Sequence, residues 1–326
     1  MGDYRRALEY HKKALDMLKA ASGEDTNNTD IATTYNSIGS GYNSLGDYRQ
    51  ALKNHKKALD VQKAVYGKDT NQTGIATTHN NIGSIYHSMG DYRRALEYHK
   101  KALDMLKAAS EEDTNNTDIA TTYNSIGSGY NSLGDCKQAL DHHMKSLDMQ
   151  KAVYGGDTNH TNIATTHNNI GSIYYSKGDY RRALEYHKKA LDMLKAASGE
   201  DTNKTDIATT YNGIGSGYNS LGDYRQALKN HKKALDVQKA VYGKDTNQAD
   251  IATTHNNIGA TYNSMGDYRQ ALEYLIKALQ MKEAAYKKGT KHLGIVHIYR
   301  KSGLAYYHSG DYKHALEYYT RGLNML

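Results

Sequence analysis

Residues 30–59 read DIATTYNSIGSGYNSLGDYRQALKNHKKAL, and they contain two helical patterns separated by a Gly-Asp pair. In its first half, the larger apolar and small residues recur at the spacing i, i+3, i+4, i+7 and i+10: Tyr35, Ile38, Gly39, Tyr42 and Leu45. That spacing places them on one side of an α-helix. We therefore predict a helix over residues 31–45, with Asp30 as its N-cap and Gly46 at its end.

The second half of the stretch carries another helical pattern. One side of it is formed by Tyr48, Ala51, Leu52, His55, Ala58, Leu59 and Gln62. This pattern predicts a second amphipathic helix from Asp47 to about Tyr66. Because only a Gly-Asp turn separates the two helices, they should lie antiparallel, and each needs a neighbour to bury its apolar side.

The same two patterns recur along the whole chain. Gly-Asp occurs at intervals of 44 residues, at Gly2, Gly46, Gly90, Gly134, Gly178, Gly222, Gly266 and Gly310. We interpret residues 1–30 as the second helix of a truncated first repeat plus a loop. Residues 31–326 are then seven helix pairs in one continuous solenoid, which makes fifteen helices in all.

A glycine in the middle of each first helix is unexpected. Glycine there costs about 1 kcal/mol relative to alanine. Gly39 nevertheless recurs in every pair, so we expect the partner helix to approach closely at this point, where Ala51 and Ala58 are also small.

These residues resemble the tetratricopeptide repeat, whose signature spaces aromatic, small and alanine positions in this order. The matching residues are Tyr35, Ile38, Gly39, Tyr42, Gly46, Ala51, His55 and Ala58. The repeat is about ten residues longer than the usual 34, as in the long variant of kinesin light chains. The resemblance implies an all-α fold, a right-handed superhelical solenoid of antiparallel helix pairs, and a scaffold or adaptor that binds proteins.

Two departures from the family pattern have structural consequences. Lys63 stands where the family has a helix-ending proline, so the second helix should run a further turn. Histidine replaces the aromatic of the second helix at His11, His55, His99, His143, His187 and His231, followed by Leu275 and Tyr319. Because these histidines recur singly and not as close pairs, we expect packed or hydrogen-bonded side chains and no metal site.

No pattern of an enzyme emerges. Gly213, Gly215 and Gly217 lie inside a predicted helix with no strand before them, so a dinucleotide-binding loop is not expected. Phosphate-binding loops and nucleophile elbows do not occur either. We expect no catalytic residues and no cofactor.

Charge and composition limit the partners. The net charge is +7, but Gly46 to Met89 holds six Lys/Arg against three Asp/Glu, and Gly90 to Leu133 holds five against seven. Because the sign alternates, we expect no nucleic acid partner. No apolar run is long enough for a membrane span, and the single cysteine, Cys136, suits a reducing compartment. We therefore expect a cytoplasmic protein with no membrane partner.

The resemblance implies that the first helices line a concave groove. One asparagine recurs at the same height on six of these helices, and we name this set the ladder asparagines: Asn36, Asn80, Asn124, Asn168, Asn212 and Asn256. Two turns further along four of these helices lie Asn43, Asn131, Asn219 and Asn263. An amide both donates and accepts, so such a ladder could hold the main chain of an extended peptide. The alternative is that these asparagines are solvated copies of one ancestral residue.

The last repeat differs from the others in charge. Five first helices have no charged residue over residues 31–45 or the equivalent stretch, whereas the last has Arg300 and Lys301. This basic pair could bind a carboxylate. Two other functions remain open: a structural array that associates end to end, and the sensor or adaptor arm of a larger protein, such as a nucleotide-dependent switch.

Overall fold

Helices make up nearly all of the chain that the structure describes. The computed structural model describes residues 2–22, 29–66, 72–109, 116–155, 160–197, 204–243, 249–285 and 293–325. Within these ranges there are fifteen α-helices and no strand, which confirms the all-α prediction. The helices are α1 (Gly2–Ser22), α2 (Thr29–Ser44), α3 (Tyr48–Tyr66), α4 (Gln72–Ser88), α5 (Tyr92–Ala109), α6 (Asn116–Ser132), α7 (Cys136–Tyr154), α8 (Thr161–Ser176), α9 (Tyr180–Ala197), α10 (Lys204–Ser220), α11 (Tyr224–Tyr242), α12 (Ala249–Met265), α13 (Tyr268–Ala285), α14 (Leu293–His308) and α15 (Tyr312–Leu323).

The predicted helices agree with the observed ones to within about two residues, with one correction at the N-terminus of α2. That helix begins at Thr29, so Asp30 lies in its first turn and is not the N-cap. An acidic residue is favourable there because the first turn exposes backbone N–H groups. The further turn of the second helix is confirmed, since α3 continues through Lys63 to Tyr66.

The turn inside each helix pair is built by its glycine and aspartate. Gly46 has a φ of 77°, the left-handed conformation that ends a helix at little cost in glycine. The Asp47 N–H then donates to the Tyr42 carbonyl at 2.9 Å, and the Asp47 carboxylate accepts from the Gln50 N–H at 3.1 Å. Asp47 is therefore the N-cap of α3 and not its first residue. The same carboxylate bond recurs at Asp91, Asp135, Asp179, Asp223, Asp267 and Asp311.

The chain divides into two compact units, Met1–Gly156 and Asp157–Leu326. Unit 1 contains α1 to α7 and unit 2 contains α8 to α15. Inside each unit, every helix packs on the next one along the chain. The continuity of the seven pairs over residues 31–326 stays a prediction.

The mid-helix glycines confirm the expected close approach, but the neighbouring group is a histidine ring. A Cβ on Gly39 would lie 2.6 Å from the His55 ring. The alanines of the second helix therefore do not explain the glycine by themselves. Equivalent contacts below 3.0 Å occur at Gly83, Gly127, Gly171 and Gly215 with His99, His143, His187 and His231, at Gly259 with Leu275, and at Gly303 with Tyr319.

Candidate binding groove

A cleft of about 570 Å³ lined mainly by polar residues lies between α1, α2 and α4 in unit 1. The helices α1, α2 and α4 form it, and its lining includes Thr33, Asn36, Ser37, Ser40, Thr77 and Asn81. Asn36, which is predicted to face the groove, therefore lines the cleft together with Thr33 and Ser40 of the same helix. The described residues of its wall include no Asp, Glu, Lys or Arg, as the neutral first helices predict.

Asn36 in this cleft is held by two hydrogen bonds within the protein. Its Oδ1 is 2.7 Å from His55 Nδ1, and its Nδ2 donates to Thr78 Oγ1 at 2.8 Å. Because the amide oxygen can only accept, His55 carries its proton on Nδ1 and donates it. The first bond joins the two helices of one repeat, and the second reaches the first helix of the next repeat.

The same two bonds recur at other ladder asparagines in both units. The histidine Nδ1 lies 2.6 to 3.0 Å from the amide oxygen in the pairs His99–Asn80, His143–Asn124, His187–Asn168 and His231–Asn212. The amide nitrogen donates over 2.5 to 2.7 Å in Asn80–Thr122, Asn168–Thr210 and Asn212–Thr254. Asn36, Asn80, Asn168 and Asn212 are therefore half-buried and link neighbouring repeats, and they also remain candidate groove residues.

In alternate repeats the chain of bonds continues one step further. Thr78 Oγ1 donates to Gln62 Oε1 at 2.8 Å, and Gln62 Nε2 donates to the Gly74 carbonyl at 3.1 Å. Thr254 and Gln238 repeat the first of these contacts at 2.8 Å. Every donor in this path therefore points the same way, from histidine to asparagine to threonine to glutamine. Such a path fixes the orientation of each amide in it.

Burial keeps the bridging histidines neutral. His55 is 1% exposed, and burial lowers its pKa from 6.5 to about 4. The pKa values of His99, His143, His187 and His231 are lowered to about 4 for the same reason. The prediction of packed, hydrogen-bonded histidines is confirmed for these five. Over the described part of the chain, no three His, Cys, Asp or Glu side chains gather closely enough to hold a metal ion.

The ladder changes at its last member. Asn256 faces Leu275 in place of a histidine and Ile298 in place of a threonine. Its Oδ1 instead accepts from Lys301 Nζ at 3.1 Å, and its Nδ2 donates to Asn257 at 3.3 Å. The two residues of the predicted basic pair therefore differ in their contacts. Lys301 is bound to the ladder, and burial, with a smaller effect of Arg300, lowers its pKa to about 8, whereas Arg300 is exposed.

The asparagines nearer the turns are more enclosed than the groove hypothesis expects. The Oδ1 atoms of Asn43, Asn219 and Asn263 are buried and have no hydrogen-bond partner among the described residues. Asn263 Nδ2 donates to the Lys301 carbonyl at 3.0 Å, and Asn131 is half-buried. The described cleft is not lined by Asn43.

Sequence reasoning found the asparagines and missed the threonines that join them to the next repeat. Thr78 lies 42 residues after Asn36, and Thr122, Thr210 and Thr254 follow their asparagines at the same distance. A signal existed in the last repeat, where the histidine and the threonine around Asn256 are lost together. Their joint loss is what a shared hydrogen-bond network predicts.

A family model described as tetratricopeptide repeat matches residues 30–108, 118–196, 206–284 and 250–326. The chain belongs to the tetratricopeptide repeat family. The resemblance found in the sequence is thereby confirmed. No curated protein matches the chain. In the described part of this tetratricopeptide array, no helix has the length and apolar character needed to cross a membrane.

Solved structures with the same fold come from several kinds of protein. BtubC (BKLC) from P. vanneervenii is 19% identical with a TM-score of 0.62, and the match covers 74% of this chain and 92% of that one. A Rap protein complexed with competence and sporulation factor is 15% identical with a TM-score of 0.66, over 99% and 84%. A STAND protein with a tetratricopeptide repeat sensor, PH0952 from Pyrococcus horikoshii, is 14% identical with a TM-score of 0.65, over 90% and 42%. At these identities the likeness concerns the fold.

Proposed function

We propose that this tetratricopeptide array is a non-enzymatic scaffold or adaptor that binds an extended segment of a partner protein along its first helices. The observation that carries the proposal is the cleft of about 570 Å³ between α1, α2 and α4, whose described wall offers hydroxyl and amide groups and no Asp, Glu, Lys or Arg. A cleft without charge suits the backbone of a peptide, whose N–H and C=O groups need partners of both kinds. The Rap protein structure, described as a complex with a factor, gives the same fold a binding role.

The internal bonds of Asn36 leave part of its amide for a ligand. An amide group has two N–H hydrogens and two lone pairs on its oxygen. In Asn36, His55 takes one lone pair and Thr78 takes one hydrogen. One donor and one acceptor then remain on a side chain whose orientation is already fixed. A ligand that binds a fixed amide does not have to order it, so less free energy is lost on binding.

The first helix of the last pair, α14 in unit 2, carries a basic pair. Arg300 stands at the ladder position of α14 with its side chain exposed, and Lys301 is bound to Asn256. At Arg300 we place an acidic side chain or a C-terminal carboxylate of a partner protein, because a guanidinium pairs with a carboxylate through two parallel hydrogen bonds.

The test fills the cleft with larger side chains and leaves the ladder asparagines unchanged. Peptides are selected on the intact chain from a random library, and their binding is measured by fluorescence anisotropy. Ser40 and Thr77 line the cleft with exposed side chains, so S40R/T77R should fill it and weaken binding at least about tenfold, a change of about 1.4 kcal/mol. The matched control is A64R, which adds the same side chain at an exposed position on α3, outside the cleft lining.

Two results would contradict the groove proposal. One is a library selection that yields no peptide for the intact chain. The other is equal affinity of the selected peptides for the intact chain and for S40R/T77R. Circular dichroism of both variants shows whether the helices are retained, so that loss of folding is not read as loss of binding.

End-to-end self-association is the second candidate function, and one feature of α15 favours it. Leu316 and Leu323 are each 69% exposed, although the equivalent Leu8 and Leu15 of α1 are 6% and 8% exposed and pack on α2. Burying two leucines would favour association by about 3–6 kcal/mol before its entropic cost. Light scattering should therefore show mass rising with concentration, and L316E/L323E should abolish that rise. A constant monomer mass at high concentration would exclude this function.

The sensor-arm alternative keeps the same binding role. The STAND protein with the same fold is described as carrying a tetratricopeptide repeat sensor, and this chain covers 42% of its length. A catalytic domain elsewhere in the coding sequence would identify the array as the sensor of a switch.

A further inference from the structure

The turns of unit 1 form an exposed edge with apolar side chains that the groove does not use. Met89 is 49% exposed and Leu133 is 44% exposed, each one residue before the glycine of its turn. An open cleft of about 350 Å³ lies between them, and Tyr92 and Arg93 also line it. None of these residues lines the polar cleft of α2 and α4.

The two apolar side chains belong to one surface because the ends of their helices are joined. His87 Nε2 on α4 lies 3.1 Å from Ser132 Oγ on α6, and these residues come two positions before Met89 and one position before Leu133 respectively. His87 also packs against Tyr92, with ring centroids 5.1 Å apart. The cleft is therefore held by contacts between neighbouring repeats.

Among the described residues that line this cleft, Arg93 is the cation that can pair with a ligand. The Asp91 carboxylate accepts from the backbone N–H of Arg94 and forms an ion pair with the Arg94 side chain, and these bonds hold its pKa below the ordinary value. Arg93 is exposed, and among the described residues no carboxylate lies at ion-pair distance from it. A ligand in this cleft thus meets apolar surface beside a guanidinium.

The combination recurs from turn to turn. An apolar residue one position before the glycine is followed four residues later by Arg or Lys in five turns: Leu45 with Arg49, Met89 with Arg93, Leu133 with Lys137, Leu221 with Arg225, and Met265 with Arg269. Lys177 and Ser309 take the place of the apolar residue in the remaining two turns. Unit 1 therefore has three such turns in succession, of which Met89 and Leu133 carry exposed apolar side chains, whereas Leu45 is half-buried against the core.

We propose that the turn edge of unit 1, formed by Leu45, Met89 and Leu133 with Arg49, Arg93 and Lys137, is a second interaction surface. It takes a segment of a partner protein in which apolar residues alternate with Asp or Glu. The apolar residues gain by leaving water against Met89 and Leu133, and the carboxylates pair with the exposed cations. Successive turns bind successive apolar–acidic pairs, so the affinity grows with the number of turns engaged. A nucleic acid fits less well because its phosphates gain nothing from the apolar side chains.

A natural turn of the chain supplies the control for folding. M89S/L133S reproduces the Ser-Gly-Asp sequence at Ser309, which the fold already accommodates. A fluorescent peptide of repeated Leu-Glu pairs is titrated against the intact chain. We expect M89S/L133S to weaken its binding at least about tenfold. R93Q/K137Q should weaken binding and remove most of its salt dependence.

The control peptides separate this surface from simpler causes of binding. Peptides of Leu-Lys and of Ser-Glu pairs should bind much more weakly, because each lacks one of the two features. S40R/T77R should leave the Leu-Glu affinity unchanged, so failure of the groove proposal and failure of this one give different results. No binding of the Leu-Glu peptide, equal binding by M89S/L133S, or tighter binding of single-stranded DNA would overturn the proposal.

Discussion

The glycine beside each buried histidine is explained by the space that the imidazole ring occupies. Gly39 and His55 are in contact because the ring lies where a Cβ would be. Two residues along the same helix, a Cβ on Gly41 would meet only Leu8, at 3.4 Å. The two glycines therefore have different reasons to be glycine, although they are equivalent in helix propensity.

Gly39→Ala and Gly41→Ala should consequently have different effects on the free energy of unfolding. G39A forces the His55 ring away from its bond with Asn36 and should lower the free energy of unfolding by about 1–3 kcal/mol. G41A removes a flexible residue at ordinary contact distance and should be neutral or stabilising by up to about 1 kcal/mol. Urea denaturation followed by circular dichroism measures both, and equal effects would contradict the contact.

The ladder shows how far single residues could be predicted. The positions of Asn36 and its copies on one face follow from helical spacing, and Asn36 does line the cleft. Its partners could not be derived in this way, because Thr78 lies in the next repeat and the distance between them depends on how the repeats stack. Helical periodicity describes one helix and carries no information about that stacking.

Among the helices, the second helix of each of the seven pairs begins in the same way. The glycine of the turn adopts a φ between 77° and 84°, and the following aspartate accepts a hydrogen bond from the third residue after it. The helix ends were predictable to within about two residues because these signals are local. Asp30 was assigned wrongly because an acidic residue is favourable at the N-cap and in the first turn alike.

Asp135→Ala should therefore destabilise the chain through α7. The Asp135 carboxylate accepts from the Gln138 N–H at 3.1 Å, and losing such a cap costs about 1 kcal/mol. Asp135→Asn keeps an acceptor oxygen and should retain most of the stability. Thermal unfolding of the two variants is the measurement, and an equal loss in both would show that the charge and not the cap matters.

At the scale of the whole molecule, buried histidines make both units sensitive to acid. His55, His99 and His143 lie in unit 1, and His187 and His231 lie in unit 2. Each has a pKa of about 4 in the folded chain, against 6.5 when exposed. Below pH 6.5 the unfolded chain therefore binds more protons than the folded chain, and protonation favours unfolding.

Stability should accordingly fall as the pH is lowered from about 6.5 towards 4. Each of these histidines contributes a slope of up to about 1.4 kcal/mol per pH unit over this range. Urea unfolding midpoints at several pH values measure it. H231L, which copies the natural Leu275, should reduce the slope, and midpoints that do not change between about pH 7 and about pH 5 would contradict the assignment.

The bonds from Asn36, Asn80, Asn168 and Asn212 to a threonine of the following repeat also bear on how such an array can lengthen. Each copied block of the inner array brings its own donor at one end and its own acceptor at the other. A duplicated block inserted between two inner repeats therefore meets matching groups on both sides without any further mutation. The last repeat ends this series, because Ile298 offers no acceptor and Lys301 takes the place of the missing histidine. Duplication of an inner repeat therefore preserves these hydrogen bonds, whereas a repeat that follows Asn256 has to pack without them.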